Sequence, residues 1–221
     1  MNTINLRQNI EQAKRLEEEN GLLAAQLARK APSLHRAIKM PLDNAEAALL
    51  DFVVCYTEHV PQFVDVLGMI GSNANCREHT NAVANACIEV FDKPATKQHE
   101  HKGLVTLMAQ AYIAHRVIEE VNEHFVAQYD EPLIPMDMTR SNLIIHQLIG
   151  EPQANHLDLI AEEAAEQLER DYLRLDSGAL DHSASREIAW GVEVNHWPCL
   201  TDTLAVNLLL EQGSPTPLNI H

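Results

Sequence analysis

The fold of this chain is decided by residues 104–125, which read LVTLMAQAYIAHRVIEEVNEHF. From Leu104 to Ala114 apolar side chains point in every direction around a helix, and a helix that is apolar on all sides is buried in a protein core. From His115 onward the same helix becomes amphipathic. Its core-facing residues there recur at helical spacing: Val117, Ile118, Val121 and Phe125. The segment therefore predicts one long helix that is buried over its first half.

Composition extends the helical pattern to the rest of the chain. Only 8 of the 221 residues are glycine and 5% are aromatic, whereas long stretches are rich in Ala, Leu, Glu and Gln. These residues are good helix formers, and alternating apolar and polar segments of strand length are missing. We therefore predict an all-α fold, a helical bundle of about seven to eight helices with an N-terminal helical arm.

Breakers and periodicity set the expected organisation. We predict a helical arm over residues 1–30, a single helical-bundle domain over 31–212 and a flexible tail over 213–221. The expected helices span residues 3–29, 45–70, 77–91, 99–128, 140–149, 153–175, 183–194 and 201–211. The leucine-bearing arm and the apolar excess of the helix over 45–70 also favour a homodimer.

The charge balance excludes some classes of partner. Acidic residues number 32 against 16 basic ones, which gives a formal net charge of −16. Binding to phosphate groups needs clustered Lys and Arg, so neither nucleic acid nor an anionic membrane is expected as a partner. An acid excess of this size suits three roles: binding a divalent metal, binding a basic protein, or keeping the protein soluble.

Cysteine usage and hydropathy favour a cytoplasmic protein. The four cysteines are scattered, without the Cys-x-x-Cys spacing of a zinc ribbon or redox motif. They are Cys55, Cys76, Cys87 and Cys199. The start of the chain lacks the apolar stretch of a signal peptide, and no run approaches the about 20 apolar residues of a membrane span. We therefore expect reduced thiols and a cytoplasmic location.

The amphipathic half of the segment over 104–125 carries the densest group of possible metal ligands. Glu119 and Glu123 are four residues apart, so they lie one above the other on a helix and repel each other unless a cation lies between them. Glu120 lies a little further round the same helix. The alternative is that Arg116 pairs with Glu120, and Glu120 with His124, as ordinary surface ion pairs.

A second group of acids lies in the apolar helix over 45–70. Asp51, Glu58 and Asp65 fall on one narrow line at heptad spacing, while nearly every other direction around this helix is apolar. Either the line is a thin exposed strip, or the acids face inward. Buried carboxylates are costly unless they are paired or bind a metal, so the inward arrangement predicts a bound cation.

Residues 115–123, His-Arg-Val-Ile-Glu-Glu-Val-Asn-Glu, resemble the Glu-Glu-x-x-Glu helix of the MazG-type all-α nucleotide pyrophosphohydrolases. The resemblance implies Mg²⁺ held by Glu119, Glu120 and Glu123 together with a following Glu-x-x-Asp helix. In that family the metal orients a nucleotide polyphosphate and activates water. No Glu-x-x-Asp follows in this chain, and the nearest counterpart is 199–202, where a cysteine replaces the glutamate.

These observations give three hypotheses for function. In the first, the protein is a Mg²⁺- or Mn²⁺-dependent phosphohydrolase whose small phosphorylated ligand is a nucleotide-like polyphosphate. Its metal ligands are five acids: Glu119, Glu120, Glu123, Glu58 and Asp51. In the second, it is an acidic protein-binding module without catalysis, similar in role to an immunity or inhibitor protein, and its partner is a basic protein. In the third, it is a di-iron oxidase, for which Glu193 and His196 supply one of the two Glu-x-x-His pairs that such bundles need.

Overall fold

The computed structural model describes residues 3–41, 43–73, 77–92, 103–130, 132–134, 136–173 and 204–209. Within these ranges the chain forms seven α-helices and one π-helical turn. The helices are α1 (Ile4–Asn20), α2 (Leu22–Leu34), α3 (Ala45–Asn73), α4 (Arg77–Asp92), α5 (Leu104–Tyr129), α6 (Thr139–Ile149) and α7 (Gln153–Leu168). The π-helical turn Glu169–Leu173 follows α7, and two short strands, β1 (Ile38–Lys39) and β2 (Asn207–Leu208), pair antiparallel. The predicted all-α helical bundle is confirmed.

The bundle is built around α5. This helix packs against α3, α4, α6 and α7, and its first three turns, from Leu104 to Ala114, are buried almost throughout. Val117, Val121 and Phe125 continue the buried face into the amphipathic half. One continuous hydrophobic core contains side chains from all seven helices. The core therefore fixes the position from which the polar half of α5 extends.

The N-terminal segment forms two helices instead of the single helix predicted over 3–29. Gly21 adopts the left-handed conformation (φ 60°) that ends α1, and the chain turns there directly into α2. The buried carboxylate of Glu17 accepts hydrogen bonds from the backbone N–H groups of Leu23 (2.9 Å) and Ala24 (2.8 Å). These bonds satisfy donors in the first turn of α2, where a negative charge is favourable.

Both N-terminal helices contribute to the bundle core. Leu6, Ile10 and Ala13 of α1 are buried, as are Leu23 and Leu27 of α2. These side chains belong to the same hydrophobic cluster as those of α3 and α5. The segment expected to form an arm therefore packs on the bundle.

The strand β2 lies inside the helix predicted over 201–211, so that prediction is wrong for the described residues 204–209. β2 pairs with β1, and the backbone N–H of Leu209 donates to the carbonyl oxygen of Ala37 at 2.8 Å. Val206 is fully buried in the core. Pairing of the two strands satisfies backbone hydrogen-bonding groups of β1. This tertiary contact outweighs the preference for a helix that the spacing of the apolar residues indicates.

Two other predictions lie beyond the described residues, namely the helix over 183–194 and the flexible tail over 213–221. In the part of the chain that the structure describes, no helix has both the length and the apolar character that crossing a lipid bilayer requires.

Helices α3 and α4 approach each other closely at Gly71. A Cβ atom at this position would lie 2.0 Å from Thr80 Oγ1 and 3.1 Å from the Cα atom of Arg77. The Arg77 atom belongs to the backbone, so it cannot move aside without shifting α4. The close approach of the two helices therefore requires glycine at this position.

Replacing Gly71 with alanine is expected to lower the free energy of unfolding by about 1–3 kcal/mol, because the added methyl group overpacks the contact. Gly68→Ala, one turn earlier in α3, is a matched control, since a Cβ there meets no atom within 4 Å. The control is expected to stabilise the protein by up to ~1 kcal/mol through helix propensity. Urea unfolding curves measure both values, and equal effects of the two substitutions would contradict the close contact.

Candidate functional site

Arg116 is the centre of a half-buried polar network that joins α5 to α7. Its Nη1 and Nη2 atoms donate to Glu119 Oε2 and Glu120 Oε1, both at 2.5 Å, and its Nε atom donates to Asp158 Oδ1 at 3.2 Å. The planar guanidinium, with five N–H donors in a fixed arrangement, suits such multiple contacts. Burial alone would lower the pKa of Arg116, but the hydrogen bond and the charge of Glu119 outweigh burial and raise that pKa.

Glu119 extends the network to α6 and α3. Its Oε1 accepts a hydrogen bond from Thr139 Oγ1 (2.8 Å), and its Oε2 accepts one from Asn142 Nδ2 (2.7 Å). The Oδ1 atom of Asn142 in turn accepts from the hydroxyl of Tyr56 at 2.6 Å. Four helices therefore meet through one chain of hydrogen bonds, and both oxygens of Glu119 are engaged in it.

Asp158 is the acceptor of the network on α7. It accepts a hydrogen bond from the hydroxyl of Tyr112 at 2.7 Å, and His146 Nε2 lies 3.5 Å from its other oxygen. Burial, and then the hydrogen bond to Asp158, raise the pKa of Tyr112. The hydroxyl therefore stays protonated at neutral pH and remains a donor.

His59 of α3 and His115 of α5 form a buried pair. His115 Nδ1 lies 2.8 Å from the carbonyl oxygen of Ala111, which can only accept, so this nitrogen carries the proton. His115 Nε2 is then an acceptor, and His59 Nδ1 donates to it at 3.2 Å. The ring of Tyr56 packs on His115 with the ring centroids 4.1 Å apart. Burial lowers the pKa of His59 to about 4 and the pKa of His115 well below its ordinary value, so both rings are neutral at neutral pH.

Two of the predicted metal ligands on α5, Glu119 and Glu120, share the cation Arg116. The pair of Arg116 with Glu120 is the one that the sequence offers as the alternative to a metal, although it is half-buried. His124, in contrast, lies 3.6 Å from Glu169 of the π-helical turn rather than against Glu120.

The acidic line of α3 faces α1. Glu58 accepts a hydrogen bond from Lys14 at 2.8 Å, and Asp65 accepts one from Arg7 at 2.7 Å, while Asp51 is exposed. Hydrogen bonds to Glu58 and then to a carboxylate of α1 raise the pKa of Lys14 to about 12. Two of the three acids are therefore paired with cations of α1, whereas Asp51 lies on the exposed surface.

The predicted ligands do not fit a magnesium site as the structure arranges them. Mg²⁺ needs oxygen ligands that converge in near-octahedral geometry. Both oxygens of Glu119 already accept hydrogen bonds, Glu58 binds Lys14, and Glu123 is exposed. Among the described residues, no group of three or more His, Cys, Asp or Glu side chains is arranged to hold a metal ion. Magnesium binding therefore stays a prediction.

Two sequence motifs fall outside the described residues. They are the Glu-x-x-His pair formed by Glu193 and His196, and the 199–202 counterpart of the Glu-x-x-Asp helix. The di-iron hypothesis therefore stays a prediction.

The partners of α5 on α6 and α7 were missed by sequence reasoning. Thr139, Asn142 and Asp158 are single polar residues in amphipathic helices, and their roles depend on which helices meet beside α5. One signal was present, because Arg116 precedes Glu119 and Glu120 at the three- and four-residue spacings of intrahelical ion pairs.

The chain matches no family model, no curated protein and no solved structure. A function is therefore proposed below from the geometry and charge of the described residues alone.

Replacing Arg116 with methionine is expected to lower the free energy of unfolding by about 3 kcal/mol, because three half-buried carboxylates lose their common cation. Arg170→Met is the matched control, since its pair with Glu166 is largely exposed. The control is expected to cost less than about 0.5 kcal/mol. Urea unfolding measures both changes. Similar small losses in the two variants would show that the network does not stabilise the fold.

The buried histidine pair predicts a loss of stability in mild acid. The unfolded chain binds protons on both rings as the pH falls below about 6.5, whereas the native rings stay neutral to lower pH, so acid favours unfolding. Each ring contributes up to about 1.4 kcal/mol per pH unit. His59→Asn keeps a donor toward His115 but removes one titrating group.

The free energy of unfolding of wild type and His59→Asn should therefore be compared by urea titration between about pH 4.5 and 6. The slope against pH is expected to be shallower in the variant by about 1.4 kcal/mol per unit. The many carboxylates contribute equally to the pH slopes of both proteins, so their contribution cancels in the difference between the two slopes. Parallel slopes would contradict a neutral, buried His59.

Proposed function

We propose that this protein is an acidic protein-binding module, similar in role to an immunity or inhibitor protein, and that its partner is a basic protein. The observation that carries the proposal is the way in which its few cations are used. The chain has 16 basic residues for 32 acidic ones, and several of its cations are paired with carboxylates of the same chain. They are Arg7 on Asp65, Lys14 on Glu58, Arg116 on three acids, and Arg170 on Glu166.

Lys30 also contacts another part of the chain, but its partners are backbone carbonyl groups instead of a carboxylate. Its Nζ donates to the carbonyl oxygens of Leu148 (2.5 Å) and Ile149 (2.8 Å) at the end of α6. Burial lowers the pKa of Lys30. Its ammonium group is held at the C-terminal end of α6, where a positive charge is favourable.

The acids of α5 and α7 repel one another at Glu120, although Arg116 lies beside it. The pKa of Glu120 is raised, first by burial and then by the negative charges of Glu123, Glu162 and Glu119, although Arg116 acts in the opposite direction. A cationic group that approaches this surface relieves that repulsion. Electrostatic attraction of this kind steers a basic partner to its site and speeds association.

The solvated acids of α7 add to this field. Glu162, Glu163 and Glu166 are all exposed, on the side of α7 away from buried Leu157 and Ala161. The phosphohydrolase hypothesis, in contrast, needs the carboxylates of α5 to be free for a metal, and two of them already bind Arg116. The arrangement therefore supports binding of a basic partner better than it supports metal-dependent hydrolysis.

A basic probe tests the proposal. The probe is a fluorescein-labelled helical peptide of leucine and lysine, and a leucine–glutamate peptide of the same pattern is its control. The lysine peptide is expected to bind at about 0.03 M salt and to weaken at least about 10-fold at about 0.3 M, because salt screens the attraction. Fluorescence anisotropy measures both affinities. The proposal fails if the lysine peptide does not bind, or if salt leaves its affinity unchanged.

A further inference from the structure

A groove with a volume of about 670 Å³ runs between α4 and α7. Helix α7 packs mainly on α5, and α4 packs on both α3 and α5, while α4 and α7 make few contacts with each other. Six apolar side chains form its floor: Ala82, Ala86 and Val90 from α4, and Ile160, Ala164 and Leu168 from α7. All of them are half-buried except Leu168, which is buried.

The apolar residues of the floor form one row on each wall, an arrangement that suits the apolar face of a helix. On each wall the three apolar residues recur every four positions, so they form one row along the helix. A row of nine residues extends for about 12 Å, or slightly more than two helical turns. Ala86 and Ala164 are the middle residues of the two rows, and their small side chains leave room for an apolar side chain of a partner.

Carboxylate and amide side chains form the rim of the groove. Glu78 and Glu89 of α4 and Glu163 of α7 line it, together with Asn81, Asn85 and Gln167. Its described lining contains no lysine or arginine. An apolar floor between acidic edges is complementary to a helix that has one apolar face flanked by basic residues.

We propose that the groove between α4 and α7 binds an amphipathic, basic helix of the partner protein. Its apolar face lies on the two rows of the floor, and its lysines and arginines pair with Glu78 and Glu163. The proposal rests on the proposed function, because it places the basic partner at a defined site.

Charge disfavours a second copy of the chain and the segment over 174–203 as occupants, whereas the segment over 93–102, also outside the described residues, carries three lysines against one glutamate and is an outcome of the test below. A second copy of the chain would bring the same acidic rim against this one, and like charges across an interface oppose association. The segment over 174–203, which lies outside the described residues, carries two arginines against five acidic residues. It therefore lacks the basic flanks that the rim favours.

Two pairs of variants locate the binding of the leucine–lysine peptide. Ala86→Trp fills the floor without changing charge, and Ala25→Trp on the exposed side of α2 is its control. Glu78→Gln/Glu163→Gln removes two charges from the rim, and Glu18→Gln/Glu19→Gln removes two exposed charges from α1. Melting temperatures show that each variant is folded, and the charge pair keeps the test valid where Ala86→Trp does not fold.

The affinity of the peptide is expected to fall at least about 10-fold in Ala86→Trp and about 5- to 20-fold in Glu78→Gln/Glu163→Gln, against less than about 2-fold in the controls. If groove and control variants weaken binding equally while the salt dependence persists, the groove is not the site and the proposed function stands. If the peptide binds none of the proteins, the proposed function itself fails.

The same experiment also tests whether the groove is filled by a second copy of the chain or by the chain's own segment. A wild-type dimer that becomes a monomer in Ala86→Trp, measured by light scattering, would show that a second copy fills the groove. A lower melting temperature of Ala86→Trp, with unchanged peptide affinity in the rim variant, would show that the chain's own segment covers it. Either result overturns the proposal.

Discussion

The burial of α5 constrains the rest of the structure. A helix that is apolar on every side over its first three turns cannot lie at a surface without exposing a large apolar area, so other helices pack around it. That packing fixes both the axis of α5 and the direction in which its polar half leaves the core. Arg116 stands two residues beyond the apolar run, where it reaches carboxylates of α5 and α7 together.

The scarcity of cations explains how the helices are joined. The chain has twice as many acidic as basic residues, and four of its cations each connect two helices. Arg7 and Lys14 connect α1 to α3, Lys30 connects α2 to the end of α6, and Arg116 connects α5 to α7. The carboxylates that Arg7, Lys14 and Arg116 contact are paired with a cation, whereas Glu162 and Glu163 on the outer side of α7 are exposed to solvent. The two-fold excess of acidic residues makes the surface negative, and the pairs between helices determine which carboxylates have a cation beside them.

Local features of the sequence were enough to predict the fold class and the buried half of α5, because composition and apolar periodicity act within one helix. Features that depend on distant contacts could not be predicted in the same way. The break at Gly21 is an exception, because it is accompanied by contacts within seven residues, from the carboxylate of Glu17 to Leu23 and Ala24. The strand β2 exists because β1 offers an edge far away in sequence. Arg116 and its glutamates were visible in the sequence, but Asp158 became their partner only through the packing of α7 on α5.

The polar network and the groove depend on the same helix. Asp158, near the start of α7, accepts hydrogen bonds from Tyr112 and Arg116, and these bonds fix α7 against α5. The floor residues Ile160 and Ala164 lie only two and six positions further along α7. The other wall, α4, is positioned by its close approach to α3 at Gly71, so both walls of the groove are held by contacts made elsewhere in the bundle. A groove held open in this way does not have to reorganise when a partner binds, and that lowers the entropic cost of association.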